Sequence, residues 1–491
     1  MPKHLLCGVL LAWRLVDASA GGGTTSRYAA IGVVDATKPG AGSVKTTVGQ
    51  PTKHSANPLF VQDKPWEPRI DNGYPNVVPP AHDGDPWQVF YGTCQKSCGT
   101  QILLYANSSD GLRWQKPELG IFDIGTIRPD LKSIGTHNNV LLVGGGIGVI
   151  RDANEPNPAH RYKAFGPGCY STTASADGGC GLTFEDGTLE YPSEDLAFSA
   201  DGLRWSDARS VSFPAPQRWD CHNNLEWDAA SQVWLATTRD GFSAPPGRTI
   251  GIATAPATLE FPSVAPIETL AGSDDMQLYS QITFAWHQIF LGIVMVYEAS
   301  SKDQKVRCRL AWAQAPHDAK SWKWVEGGLS GPEFIPLGRG SDFDSHICFA
   351  AKSPTSVTGA SPHERIYYMG GNGPHSGARN SSFGLATLRP DGFAALTAEA
   401  GSVFTVPLKV TGRTLVVSVD FAPGAPSRSL RIGTAHGGPL AADASIPISA
   451  NGTDVAVAYA GGADWSGLMN SSVQLEIRLK GASIYTLGWT D

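Results

Sequence analysis

The residues able to do chemistry in this chain are mostly carboxylates, and they sit in short polar knots between apolar, strand-like runs. The knots are Asp71-Asn72-Gly73-Tyr74, Arg151-Asp152, Asp220-Cys221-His222-Asn223, Asp275 with Gln277, and Asp342-Phe343-Asp344-Ser345-His346. Glycosidic bonds are cleaved by two carboxyl groups flanking the bond, one protonated to assist the leaving oxygen and one ionised as nucleophile or base. Carboxylates crowded into one cavity push one another's pKa values apart, which lets one of them keep its proton. No Cys-x-x-Cys or Cys/His ligand spacing occurs, so neither a metal nor another cofactor is expected. Plainer roles compete at each position. Asp71 before Asn-Gly can cap a turn, Asp152 can pair with Arg151, and Glu226 and Glu298 at strand ends can simply be solvated. Trp66, Tyr74, Trp219 and Tyr279 suit stacking on sugar rings and wedging between sheets equally well.

A repeated element must position these knots. LLYANSSDGLRWQKP (Leu103 to Pro117) recurs as DLAFSADGLRWSD (Asp195 to Asp207), with Asp110 and Asp201 standing 91 residues apart. Both copies read as a strand, a Ser-x-Asp-Gly turn and a Trp. Weaker copies follow at Ile250 to Ser263, Arg309 to Glu326 and Phe383 to Leu396, the last keeping Asp391-Gly392 and Phe393. Asp-Gly supplies the left-handed turn residue of a tight hairpin, and the aromatic after it can fold back as a wedge against the neighbouring sheet. Five copies in order, in chain rich in Gly, Pro and β-branched runs, predict an all-β five-bladed β-propeller. The innermost strand of each blade then lines one funnel, which gathers the knots.

The 491 residues suggest more than one domain, and a net charge of −7 with 17% charged residues and no basic run makes nucleic acid and anionic membranes poor partners. Met1 to Ala20 has a basic start, an apolar run from Leu5 to Trp13 and small residues at Ala18, Ser19 and Ala20, the pattern of a secretory signal; no later run is long enough to span a bilayer. Secretion agrees with sequons at Asn107, Asn380, Asn451 and Asn470. Cys94 with Cys98 and Cys169 with Cys180 each flank a short polar loop and suit local disulfides, leaving Cys221, Cys308 and Cys348.

Residues 21–53 read as a lead-in, loose or packed as an arm, and the propeller as residues 54–396. WQVFYGTC and QILLYANSS fall in blade one, and NNVLLVGGGIGVIRD opens blade two. RWDCHNNLEWD opens blade three, MQLYSQITFAW blade four and SDFDSHICFAAK blade five. From residue 397 short alternating strands and polar turns predict a C-terminal β-sandwich with a structural role, packed on the propeller.

IDNGYPNV, the SxDGxxW turns, RYK, DFDS, ATLRPDGF and the terminal LEIRLKGASIYTLGW together resemble secreted proteins related to family 32 and family 43 glycoside hydrolases, over nearly the whole chain after the signal. That resemblance implies a propeller with a blade-one Asp as nucleophile or base, a blade-two Asp that stabilises the transition state, and a blade-three acid. Asp71, Asp152 and Asp220 hold those places, with Ala153 where the family has Pro and Asp220 where it has Glu. The expected assignment is Asp71 as base, beside Asn72 on an open turn, and Asp220 as acid, desolvated between Trp219 and Cys221. Asn72, Trp66, Tyr74, His222, Asn223, Gln277, Asp344 and His346 are the expected sugar contacts. The expected partner is an oligo- or polysaccharide, bound by a single copy of the chain. Two other functions fit the same scaffold: carbohydrate binding without catalysis, and a sialidase. A sialidase needs three arginines to grip a carboxylate, and none stand out at the blade starts.

Overall fold

The computed structural model describes residues 27–95, 100–168, 183–185, 188–190, 194–211, 220, 222–240, 247–262, 267–352, 354–424 and 427–491. The expected signal and Cys98, Cys169, Cys180 and Cys221 lie outside them. Cys94 is disulfide-bonded, and Cys308 and Cys348 are buried free thiols.

The fold is all-β and organised as successive antiparallel meanders. The first runs Asn76–Val78, Trp87–Gln95, Thr100–Ser108, Val140–Val143, and the second Gly148–Arg151, Tyr162–Phe165, Glu194–Ser199, Ser206–Val211. The third is Asn224–Asp228, Val233–Asp240, Thr249–Ala255, Ile267–Glu268; the fourth is Met276–Trp286, Ile289–Glu298, Val306–Ala313, Lys323–Trp324. In the fifth, Ile347–Ala350, His363–Gly371 and Ser381–Leu388 are completed by N-terminal strands, Thr52–Lys53 and Phe60–Val61, which pair with Ser381–Leu388. The run NNVLLVGGGIGVIRD is therefore divided: Val140–Val143 closes the first meander, and the glycines turn the chain so that Gly148–Arg151 opens the second.

First strands touch in sequence order, first to second, second to third and third to fourth. A single parallel bridge, Val306 to Ile347, joins the fourth meander to the fifth, and another, Asn76 to Lys352, brings the fifth back to the first. Polar side chains stitch this ring across its axis. Asn76 Nδ2 donates to Ile147 O (2.9 Å), and Asn224 Nδ2 donates to Gln281 O (2.9 Å). The Lys352 ammonium, 2% exposed, donates to Thr283 O (2.7 Å) and to Glu226 Oε2 (2.6 Å), tying the fifth meander to the fourth and third. Glu226 is thereby committed to the ring's interior bracing.

The repeated turns lock meander to meander. In the first copy, Ser108 Oγ accepts from Gly111 N, and Asp110 Oδ1 accepts from Leu112 N and Arg113 N (2.8 Å each); Ser199 and Asp201 do the same for Gly202, Leu203 and Arg204. Gly111 and Gly202 have φ of +73° and +79°, which a Cβ would strain. The aromatic that follows points at the preceding meander. Trp114 packs edge-on against Tyr367 and Phe383 of the fifth, and Trp205 packs into the apolar cluster with Phe90 and Tyr105 of the first. Phe261 stacks on Phe165 of the second, Trp322 joins Leu235 and Ile250 of the third, and Phe393 meets Phe284 and Trp286 of the fourth. Each wedge reaches the preceding meander, and the first reaches the last.

The C-terminal sheet is built on one long strand, Leu475–Thr490, paired with Ala394–Phe404, Thr414–Phe421, Ser429–Thr434 and Arg27–Ala29. Lys45–Val48 pairs with Ala394–Phe404, so the lead-in is an arm woven into this sheet before it reaches the ring. Asp391 pins the junction. Its carboxylate takes His287 Nε2 (2.6 Å) from the fourth meander, Ser418 Oγ (2.7 Å) and Thr486 Oγ1 (2.9 Å) from the sheet, and Arg27 Nη1 (3.4 Å) from the arm. Burial opposes its charge, yet the hydrogen bonds from His287 and Ser418 and the nearby charges hold this carboxyl well below the usual carboxylate range.

Two outcomes follow. Truncating Lys352 to Met strands Glu226 beside the axis and should lower stability to urea by about 3–5 kcal/mol. The Lys352→Met/Glu226→Gln double variant should lose distinctly less, and equal losses would show that the pair is not coupled. Because the folded pKa of Asp391 lies below its unfolded value near 4, its contribution is complete above that pH and fades as pH falls through and below it. Asp391→Asn should therefore be less stable than the parent at pH 7, with the gap shrinking by pH 3 in urea melts; a gap independent of pH would remove Asp391 from this role.

Candidate functional site

At one end of the ring the meander starts converge on Tyr279. The turn Asp71–Gly73 leads into the first meander and packs against the second strand of that meander, where a Cβ on Gly73 would come within 2.5 Å of Gly92 O. The chain then passes through Tyr74 with φ of 43°, a left-handed backbone that is costly for an aromatic residue and that buries its ring against Phe349 and His222 (centroids 5.4 and 5.3 Å). Asn72 Nδ2 and Tyr74 Oη both lie 3.4 Å from Tyr279 Oη, and His375 Nε2 lies 2.9 Å from it. The side chain of Asp71 lies outside what is described; its backbone is on the same turn as Asn72.

Asp220 is fastened into the third meander. Its N–H donates to Arg239 O (2.9 Å), its carbonyl accepts from Asn223 Nδ2 (2.8 Å), and its carboxylate is ion-paired with Arg239. Asn223 Oδ1 in turn accepts from Thr238 Oγ1, so Asn223 braces the Asp220 backbone from a fully buried position. The guanidinium beside it favours the charged form of Asp220. That environment differs from the apolar one expected of a proton-holding acid, because Arg239 enters from the neighbouring strand Val233–Asp240.

His222 is 1% exposed, with Nε2 3.3 Å from Asn76 Oδ1, and burial together with the Lys352 charge pushes its pKa down to about 3. It is a neutral part of the cluster floor. His375, from the loop after His363–Gly371, stands against Tyr279 and Tyr297 (centroids 4.9 and 4.8 Å) and is likewise pushed down to about 3, by burial and then by the charges of Arg379, Arg248, Arg239 and Arg69. Its Nδ1 and Asn72 Oδ1 are buried without a hydrogen-bond partner among the described residues. Gln277 reaches the cluster through Arg248, whose Nη1 donates to its Oε1 (2.5 Å).

The ring thus brings Asn72, Tyr74, Asp220, His222, Asn223 and Gln277 together around Tyr279. It does not bring the others. Asp152 lies past the far end of Gly148–Arg151, roughly 13 Å along the strand from Gly148 at about 3.3 Å per residue, and is held by Lys163 Nζ (2.9 Å). Trp66 is a buried structural residue whose Nε1 donates to Asn139 Oδ1 (2.9 Å). Asp344 is buried in the fifth meander between Lys53 Nζ (2.6 Å) and the Tyr368 hydroxyl (2.7 Å), and His346 contacts Ser345 Oγ (3.0 Å). Asp342 caps the turn at Arg339 N.

Sequence reasoning missed the arginines and His375. The Arg239 guanidinium lies 4.2 Å from the Tyr279 ring centroid, and that of Arg248 lies 5.3 Å from it and 5.4 Å from that of Tyr297. Arg379 Nη1 donates to the carbonyls of Pro374 and His375 and shapes the His375 loop. Arg239 comes from a second strand and Arg248, His375 and Arg379 from loops, so no first-strand motif announces them.

No family model matches this sequence, and no curated protein matches it. Among solved structures the chain is similar to an N-acetylgalactosamine deacetylase from F. plautii in complex with a blood group B trisaccharide (13% identity, 69% of this chain and 95% of that one, TM-score 0.46). It is also similar to a thermostable family-43 glycoside hydrolase (10% identity, 68% and 95% covered, TM-score 0.43). A third likeness is to the Bombyx mori family-32 β-fructofuranosidase in complex with sucrose (10% identity, 89% and 94% covered, TM-score 0.38). The fold of this chain stands on its own strand order, ring contacts and wedges.

Proposed function

We propose that this chain is a secreted glycoside hydrolase that cleaves a saccharide seated at the Tyr279 end of the ring. The supporting observation is the arrangement around Tyr279: a partly exposed carboxylate, Asp220, stands beside aromatic rings and neutral hydrogen-bonding groups on a rigid ring. Tyr279 and Tyr297, packed edge to face, form the aromatic wall of this end, and Asn72 Oδ1 and His375 Nδ1 beside it have no hydrogen-bond partner among the described residues. Asp220, kept charged by Arg239, takes the nucleophile or base role. The proton for the leaving oxygen then falls to Asp71, the other carboxyl on a turn at this end. This exchanges the two roles expected from the sequence.

Carbohydrate binding without catalysis is the second reading, and the observation favouring it is the commitment of the Asp220 carboxylate to Arg239. Incubating the purified chain with a glycan panel, scoring released reducing ends alongside binding, separates the two.

If the roles hold, Asp220→Asn and Asp71→Asn each lower kcat by about a thousandfold or more with little change in folding. Their residual pH profiles should differ. The base must be ionised, so Asp220→Asn loses the acidic limb of kcat/KM; the acid must be protonated, so Asp71→Asn loses the alkaline limb. Near-full turnover by either variant removes that residue from catalysis.

A further inference from the structure

Two thiols with no part in the chemistry proposed above lie against each other where the fourth meander meets the fifth. Cys308 stands on the third strand of the fourth, Val306–Ala313, and Cys348 on the first strand of the fifth, Ile347–Ala350. The strands meet at the parallel bridge Val306 to Ile347, where Val306 N donates to His346 O (2.9 Å). Two residues past Val306 and one past Ile347, Cys308 Sγ donates to Cys348 O (3.3 Å), and the two thiols also share a hydrogen bond with each other. Both stand as thiols in this structure, sealed in the main apolar cluster at 0% and 1% exposure. Their surroundings narrow the chemistry left to them. Burial pushes the Cys348 thiol up, Cys308 beside it pushes the same way, and the charges that reach it, Asp344 and Lys53, are paired with each other. A nucleophilic or metal-ligating cysteine needs the reverse, a stabilised and accessible thiolate. No group of three metal-ligating side chains occurs among the described residues. The reaction that two touching neutral thiols have in common is their own oxidation, and an oxidising compartment makes such bonds persist.

We propose that Cys308 and Cys348 are a disulfide site, closed while the chain folds in an oxidising compartment, that staples the fourth meander to the fifth. The compartment follows from the secretion proposed above, whereas the juxtaposition of the thiols stands without any catalytic reading. The oxidant is a small disulfide of the glutathione class. The thiolate of one cysteine attacks a sulfur of that disulfide, forming a mixed disulfide and releasing one glutathione thiolate. The thiolate of the other cysteine then attacks the protein sulfur of the mixed disulfide and releases the second glutathione. Two protein thiols thus give up two electrons and two protons, and one glutathione disulfide becomes two glutathione thiols. Sealed thiols meet no oxidant in the folded chain, so the exchange belongs to the interval before Ile347–Ala350 docks on Val306–Ala313. Once made, the bond is shielded from reductants by the same packing. The staple crosses the seam that the candidate site straddles. Tyr279 and Tyr297 belong to the fourth meander, whereas His375, which packs on both and donates its N–H to Gln304 O (3.2 Å), belongs to the fifth.

The test is oxidative refolding of the full chain. One sample is unfolded, reduced and refolded in a buffer of oxidised and reduced glutathione, another in dithiothreitol; both are then alkylated and mapped as peptides without reduction. We expect Cys308 linked to Cys348 in the first sample, and in the second two thiols that alkylate only after the chain is unfolded. Closing a loop between cysteines 40 positions apart should shift the unfolding equilibrium by about a hundredfold in favour of the oxidised sample. The Cys308→Ala/Cys348→Ala variant keeps every other cysteine, so its own gap between the two buffers should be narrower by about that factor. A folded, oxidised parent in which either cysteine is a thiol, is capped by glutathione or is linked elsewhere overturns the inference. So does a gap unchanged in the folded double variant; should that variant not fold, the peptide map of the parent decides. Neither outcome bears on whether the chain cleaves a saccharide, which the glycan panel decides separately.

Discussion

A charged ammonium on the axis of a ring of strands is the constraint on which this structure depends. The polar side chains that the first strands turn to the axis, Asn76, Asn224 and Gln281 among them, are buried, and a buried polar group is costly unless it finds a partner. Lys352 meets that demand by bonding to the third and fourth meanders at once, while its own backbone bridges to Asn76 of the first. Burying an ammonium is unfavourable unless it is paired and fully hydrogen-bonded, and the pairing here can be completed only when four of the five meanders are in register. The polar axis therefore selects one closed arrangement among the slipped ones that apolar packing alone would tolerate. It also sets the tone of the site above it, since the same charge helps keep His222 neutral beneath Tyr74.

Around that axis the aromatic wedges supply the cohesive energy. Their sequence signal was readable because it is local: Ser-x-Asp-Gly closes its own hydrogen bonds within six residues wherever it occurs, and the aromatic after it has one direction to fold. The weaker copies lose the full Ser-x-Asp-Gly string, only the last keeping Asp391-Gly392, but all keep the ring, and Phe261, Trp322 and Phe393 still reach the preceding meander. Where the signal was not local it misled. Val140–Val143 and Gly148–Arg151 form one apolar run, and nothing within that run says the chain changes sheets at its glycines. Asp152 and Asp344 looked like funnel residues because a carboxylate beside an apolar strand is ambiguous until the partner is known. The partners, Lys163 and Lys53, are respectively 11 and 291 positions away.

The site was half legible for the same reason. Asn72, Tyr74, Asp220 and Gln277 stand at meander starts and were found by position. Arg239 and Arg248 stand elsewhere in their meanders, and only the pairing of Val233–Asp240 with its neighbours shows that they share an end with Tyr279. Their presence turns Asp220 from a candidate proton donor into one half of an ion pair.

The way the chain laces its two units has a consequence for its synthesis. Arg27–Ala29 and Lys45–Val48 belong to the C-terminal sheet, yet the strand that receives the first of them, Leu475–Thr490, is the last to be made. At about 5–20 residues per second on the ribosome, these early strands wait on the order of 20 to 90 seconds with their edges unpaired. Throughout that interval the ring must assemble beside them, using Thr52–Lys53 and Phe60–Val61 from the same emerging segment. An unpaired, β-rich leader is a natural client for chaperones and a ready template for mispairing between nascent chains. The seam that makes the finished molecule one body is thus also the stretch most exposed to error while it is being born.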